Sequence, residues 1–290
     1  MRAMNEASDG TDVTDGGDVT DGGDVTDGGD HRDRGNHGDH GDRARYALVT
    51  GGGAGIGAEV ARALVADGWT VRICGRTPAP LEAVCAEFPD ALSWARCDVT
   101  DEGDVDALFA GIAADFGRLD LAVVNAGVPG PTAPLGEMDA GGFRETVEIN
   151  LTGAFLTARG AFRAMAAQDP AGGRIIFNGS IAAQTPRPHS APYAASKAGL
   201  AGLAAVTALD GRPHGITATR IDVGNAATGL LAGFGASTGA LQADGSHLVE
   251  PTFPAAEAAR AFAYAASLPA GAVVDQLTVT AAGMPFGGRG

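Results

Sequence analysis

From Tyr46 onward, short apolar runs alternate with longer amphipathic stretches, and this alternation sets the expected elements. Strands are predicted over Ala47–Thr50, Thr70–Cys74, Ala91–Arg96, Leu119–Val124, Arg174–Asn178, Ile216–Asp222 and Leu277–Thr280. Helices are predicted near Ile56–Asp67, Pro80–Phe88, Glu102–Phe116, Gly142–Ala167, Tyr193–Leu209 and Ala255–Ala266. Near-continuous apolar strands belong to a sheet buried on both faces, and helices between them supply the crossovers a parallel sheet needs. Right-handed crossovers then give a doubly wound α/β fold with ligands at the carboxyl ends of its strands. No linker interrupts the alternation, so residues 45–290 are expected to form one domain.

Ahead of that domain the pattern vanishes. Residues 1–44 hold almost no large apolar side chains, and between Thr11 and Asp30 they repeat the unit Asp-Val-Thr-Asp-Gly-Gly. Such a segment cannot offset its ordering entropy, and disorder is expected. Residues 1–45 carry 12 acidic and 5 basic side chains and the remainder 23 and 15, so the net charge of −15 divides almost evenly. The domain is therefore only mildly acidic, and without a basic stripe it is no candidate for nucleic-acid binding. His31, His37 and His40 among the Asp-Gly units invite a metal hypothesis. The repeat has neither the nonapeptide spacing of calcium-binding β-helices nor the spaced glutamate of an EF-hand loop, and no metal site is expected. Cys74, Cys85 and Cys97 are odd in number and lack CxxC spacing. With no membrane-length apolar run and no secretion signal, they point to a reduced, soluble, cytoplasmic protein.

The first strand runs into Thr50-Gly-Gly-Gly-Ala-Gly-Ile-Gly57 and then into a helix. Glycines at that junction permit a tight turn and close backbone approach to a pyrophosphate, which the helix amino end favours through its free N–H groups and its dipole. Further along, Tyr193 and Lys197 stand one helical turn apart in Ala191-Pro-Tyr-Ala-Ala-Ser-Lys-Ala-Gly199. A tyrosine, with a pKa of about 10, shuttles protons near neutrality only if a fixed positive charge favours its phenolate. Lys197 can supply that charge, although a Tyr-x-x-x-Lys pair alone is equally an ordinary helix-surface pair.

Taken in order, Thr-Gly-x-x-x-Gly-x-Gly, Asn125-Ala126-Gly127 after the fourth strand, Ser180 after the fifth and Tyr193-x-x-x-Lys197 resemble the short-chain dehydrogenase/reductase family over Tyr46 to the C-terminus. The resemblance implies a Rossmann fold and a cofactor turn of Thr50, Gly51, Gly55, Ile56 and Gly57. It also implies Asp98 and Val99 beside the adenine, with Asn125, Ala126 and Gly127 along the cofactor. Asp98 is equally placed to cap the helix starting near Asp101. Tyr193 is the expected acid in reduction and base in oxidation. Lys197 lowers its pKa and holds the nicotinamide ribose, while Ser180 bonds the substrate oxygen. Asn150, an amide inside an apolar helix, matches the family position that holds a water relaying protons to the lysine; a helix-bending core role is the alternative.

Two departures bear on the cofactor and substrate. Where an NAD-preferring site carries an acid after the second strand, this chain has Gly75 and Arg76. A guanidinium suits a 2′-phosphate, so NADP(H) is preferred and NAD(H) possible, with adenine stacking as Arg76's other role. After the sixth strand, Val223 stands where many relatives have proline, while Gly224 and Thr228 are kept; Val223 and Thr228 are expected nicotinamide contacts. The Gly229–Pro254 stretch is read either as a substrate lid or as a disordered insertion, and His189 as either a substrate-entrance or a roleless loop residue. Met284, Pro285 and Phe286 need cover from their own subunit or a neighbour, and a homodimer or homotetramer is expected. The overall expectation is NADPH-linked reduction of a small or medium organic carbonyl. The alternatives are an NAD-dependent alcohol dehydrogenase and a non-catalytic dinucleotide sensor.

Overall fold

The computed structural model describes residues 43–229, 239–284 and 286. The acidic repeat, with His31, His37 and His40, lies outside them, as does Pro285. Seven strands, β1 (Arg45–Thr50), β2 (Trp69–Gly75), β3 (Leu92–Arg96), β4 (Leu121–Val124), β5 (Gly173–Ser180), β6 (Ile216–Val223) and β7 (Gln276–Val279), form one sheet in the order β7-β6-β5-β4-β1-β2-β3. Every pairing in it is parallel. The chain therefore travels outward from β1 to β3 and then returns to lay β4 on the other side of β1. That reversal opens a crevice between the carboxyl ends of β1 and β4, where α/β sheets bind their ligands.

Among the described residues, seven α-helices cover the sheet: α1 (Gly55–Ala66), α2 (Pro78–Cys85), α3 (Glu102–Phe116), α4 (Ala140–Val147), α5 (Gly153–Ala167), α6 (Ala191–Gly211) and α7 (Ala255–Ser267). The strand period of two divides the apolar residues between two cores. Ala47, Val49, Val71, Ile73, Leu121 and Val123 face α1, α2 and α7. Leu48, Ala122, Val124, Ile175, Phe177 and Ala218 face α3, α5 and α6. A one-residue slip in any central strand would exchange the two sets, so the register is firmly held.

Strand β1 begins two residues before its apolar run, because Arg45 and Tyr46 pair with Trp69 and Thr70 and the Tyr46 ring stacks on Phe116 at 4.8 Å. The long helix expected over residues 142–167 is instead two helices joined by a π turn at Glu148–Thr152. Asn150 sits inside that turn, so the break falls on the one residue whose amide competes with the helix ladder. Buried Arg174 on β5 donates to the carbonyls of Ala265 and Ala272 and so ties the end of α7 to the sheet.

Within the Gly229–Pro254 stretch, Ala240–Leu241 pairs with His247–Leu248 and Phe253–Pro254 pairs with Ala226–Ala227. Residues 230–238 of that stretch lie outside the described residues. Met284 is buried in a small cluster with Ile181 and Ala281, and Phe286 packs against it, so the subunit covers these terminal apolar residues itself. Among the described residues no helix is long and apolar enough to cross a membrane, and Cys74, Cys85 and Cys97 are free thiols.

Candidate active site

The crevice is a cleft of about 430 Å³ whose wall runs from the glycine turn after β1 to the first turns of α6. Gly51 (φ +66°) and Gly55 (φ +55°) take left-handed conformations that a side chain would strain. Gly57 is needed for a different reason: a Cβ there would lie 2.3 Å from the Gly51 carbonyl oxygen and 2.5 Å from Asn125 Nδ2. Helix α1 begins after Ala54 with no side-chain cap and no acidic residue in its first turn, whereas Asp101 caps α3 and Asp139 caps α4. Its first N–H groups and dipole are thus left facing the cleft, and this donor set fits the pyrophosphate of a dinucleotide.

A ladder of polar bonds locks the turn to the neighbouring strands. Thr50 Oγ1 accepts from the backbone N–H groups of Asn125 (2.9 Å) and Ala126 (3.1 Å). Asn125 Nδ2 donates to the Thr50 carbonyl at 2.8 Å, and its Oδ1 accepts from Asn178 Nδ2 at 2.7 Å. Thr50 is wholly buried and outside the cleft wall, so it supports the turn from behind. Asn125, Ala126 and Gly127 are in the wall itself, with Gly51, Gly55, Ile56 and Gly57.

At the other end the cleft is lined by Ser180, Tyr193 and Lys197. Strand β5 ends at Ser180, whose Oγ accepts the Ala182 N–H at 3.2 Å. Burial pushes the Tyr193 phenol up, while a hydrogen bond with Ser180 and the Arg187 charge pull it down. Lys197 donates to the Asn178 carbonyl at 2.8 Å, and its Nζ lies 5.8 Å from the centroid of the Tyr193 ring. Burial lowers its ammonium to about 8, opposed by Asp222. Among the described residues the cations lining this end are therefore two, Lys197 and Arg187, and the charge of Arg187, which local pattern did not single out, helps to lower the tyrosine.

Asn150, 1% exposed, does not line the cleft. Its Oδ1 accepts from Val128 N at 2.8 Å, and its Nδ2 donates to Val128 O (2.9 Å) and Ser196 Oγ (3.1 Å). Ser196 Oγ donates in turn to the Tyr193 carbonyl at 2.8 Å. Both amide hydrogens are thus committed to fixing the segment after β4 against the first turn of α6. The helix breaks at this residue, and its bonds lead through Ser196 to the Tyr193 carbonyl.

Arg76 is exposed and, with Asp98 and Val99, lies outside the cleft wall, at the carboxyl ends of β2 and β3. Asp98 accepts from the N–H and hydroxyl of Thr100, bonds that with help from Arg76 and Arg96 hold its carboxyl below its usual range against some burial. It does not cap α3; Asp101 does, accepting from Asp104 N at 2.8 Å. Val223 and Thr228 line the cleft, with Thr228 across from Gly55. His189 is exposed and absent from the wall. Asn178, Asn225 and Arg187 are wall residues that sequence pattern alone did not identify. Only the Pro186-Arg-Pro188 triplet, a stiffened turn next to the Tyr193 helix, hinted at the last.

Residues 45–238 match the family model described as short chain dehydrogenase. The chain is 38% identical over 236 residues to cis-4-hydroxycyclohexanecarboxylate dehydrogenase of Sinomonas cyclohexanicum, covering 80% of this chain and 93% of that one. It is 39% identical over 191 residues to L-fucose dehydrogenase of Oryctolagus cuniculus, 64% of this chain and 66% of the relative. A crystal structure of a short-chain type dehydrogenase/reductase from Mycobacterium marinum superimposes with a TM-score of 0.73 at 27% identity, over 84% of this chain and 96% of that chain.

Proposed function

The chain belongs to the short-chain dehydrogenase family, whose members similar to it are NAD(P)-dependent oxidoreductases of CH–OH groups, and from that premise we propose an NADPH-linked interconversion of a ketone and a secondary alcohol on a small or medium organic molecule. The observation that carries this reading is the meeting, in one cleft, of an uncapped glycine-turn helix with Ser180, Tyr193 and Lys197. Bound there, a nicotinamide dinucleotide supplies the hydride in reduction and takes it in oxidation. The glycine turn and the α1 amino end hold its pyrophosphate, Val223 and Thr228 its nicotinamide end, and Asp98 and Val99 flank its adenine.

Tyr193 Oη gives its proton to the carbonyl oxygen during reduction. Ser180 donates its hydroxyl proton to the same oxygen, and Lys197 stabilises the negative charge that develops there, with Arg187 the other cation of the cleft wall. Among the described residues the cleft wall has no carboxylate to oppose them. Asn150 acts through Ser196 and the Tyr193 backbone.

Arg76 follows directly on β2 and supports NADP(H) over NAD(H). A ketone panel followed at the nicotinamide absorbance with NADPH and NADH tests the reading. Turnover faster with NADPH is expected, and Arg76→Asp should shift the preference towards NADH by roughly tenfold or more. An unchanged preference would remove Arg76 from the cofactor site, and no turnover with either cofactor would favour the sensor alternative.

The exposed face of α6 supports a homo-oligomer. Ala195, Ala198, Gly202, Ala205, Val206 and Leu209 are all exposed there, and Phe155 on α5 is exposed as well. Small residues let a second helix approach closely, and apolar ones reward its doing so. Light scattering is expected to give a dimer or tetramer mass, and Val206→Glu with Leu209→Glu should lower it; a monomeric wild type would end this proposal.

A further inference from the structure

Among the described residues two charged side chains line the cleft, Lys197 and Arg187, and both are cations. Lys197 is occupied with the Asn178 carbonyl and the proton-delivery end. Arg187 is not needed for proton delivery, yet it stands in the loop joining Ser180 to Tyr193, held by a proline on each side. Its Nη2 donates to Asn225 Oδ1 at 2.8 Å and to Glu250 Oε2. Glu250 also accepts from Asn225 Nδ2 (2.8 Å) and Gln242 Nε2 (3.1 Å). Burial pushes the Glu250 carboxyl up, but these donors outweigh it and keep it ionised.

The resulting ion pair is oriented. Glu250's side chain is 2% exposed and Arg187's 18%, so the cleft faces the cationic end of a pair whose anion lies behind it. Nη2 is taken by two acceptors, whereas Nη1 makes no hydrogen bond among the described residues and Nε is enclosed without one. The Nη1 amino group, its donors unused on a cleft wall that Tyr193 shares, is suited to a carboxylate oxygen. Arg187 also borders a second cavity, of about 300 Å³, with Gln184, Leu241 and Gln242, which leaves room beside the cleft for a substituent remote from the reacting carbon.

Resting on the oxidoreductase reading above, we propose that Arg187 is a specificity residue that binds a carboxylate of the substrate, so that the preferred substrates are hydroxy- and oxo-carboxylates. The acid group is then held away from the carbon that is oxidised or reduced, and Glu250, Asn225 and Gln242 fix the guanidinium for it.

The test is calorimetric titration of the NADP⁺-loaded protein with cyclohexanecarboxylate and with its neutral isostere cyclohexanecarboxamide. The carboxylate is expected to bind roughly tenfold or more tightly than the amide. Arg187→Gln should erase the difference, and Glu250→Gln, which keeps the guanidinium, should preserve or enlarge it. The double variant Arg187→Gln with Glu250→Gln leaves no unpaired buried charge, so loss of the preference there is not a folding defect. Equal binding of the two probes by the wild type, or a preference that survives in the double variant, would overturn the proposal while ketone reduction continued. Absence of both dinucleotide binding and ketone reduction would instead overturn the oxidoreductase reading.

Discussion

Tyr193→Phe is expected to lower turnover by about a thousandfold while dinucleotide affinity stays nearly unchanged. The substitution removes the phenolic proton and leaves a ring of the same shape beside Lys197, whose Nζ lies 5.8 Å from the ring centroid. Burial already holds the phenol protonated near neutrality, with Ser180 and Arg187 pulling the other way. The wild-type reduction rate should therefore be flat up to the range in which Lys197 loses its charge. Burial has lowered that lysine to about 8. A base with a depressed pKa is cationic below it and neutral above it, so reduction falls as pH rises through about 8. Rates measured across pH with saturating cofactor, beside cofactor binding by fluorescence, check both statements. Normal turnover by the phenylalanine variant would show that the proton comes from elsewhere.

Gly57→Ala is expected to weaken dinucleotide binding by about a hundredfold or more. The added methyl would sit 2.3 Å from the Gly51 carbonyl oxygen and 2.5 Å from Asn125 Nδ2, so the backbone turn itself must open. Opening it pulls on the Asn125 bond to the Thr50 carbonyl and on the Asn178 bond behind that. The same chemical change at Gly111, inside α3 where the nearest atom is 3.8 Å away, should leave binding intact. There it should raise stability by about 0.5–1 kcal/mol, because alanine loses less backbone freedom in a helix. Titration of both variants, with circular dichroism to verify the fold, separates a damaged turn from a damaged protein. Undiminished binding by Gly57→Ala would remove the glycine turn from the cofactor site.

The order of strands and helices and the glycine turn were legible in the chain, because both depend on local pattern. Apolar runs of strand length and helices of period 3.6 advertise themselves, and a glycine cluster at a strand–helix junction marks a backbone that must turn sharply and leave space in front of the helix. Tyr193 and Lys197 were legible for the same reason, lying one turn apart on α6. The break in the long helix was half visible in Asn150. That its amide is spent on Val128 and Ser196 could not be seen, because those partners come from distant parts of the chain.

Local sequence thus determined the α/β architecture, the position of the turn and the identity of the tyrosine–lysine pair. Tertiary structure decided the environment of that pair. Glu250 reaches Arg187 across 63 residues, and Asn225 reaches it across 38. The physical reason is that burial and charge, which set the phenol's and the ammonium's acidity and hold Arg187 in the cleft wall, are sums over whatever the fold brings near. Spacing along a chain reports which groups share a helix face, and only packing reports which charges share a cleft.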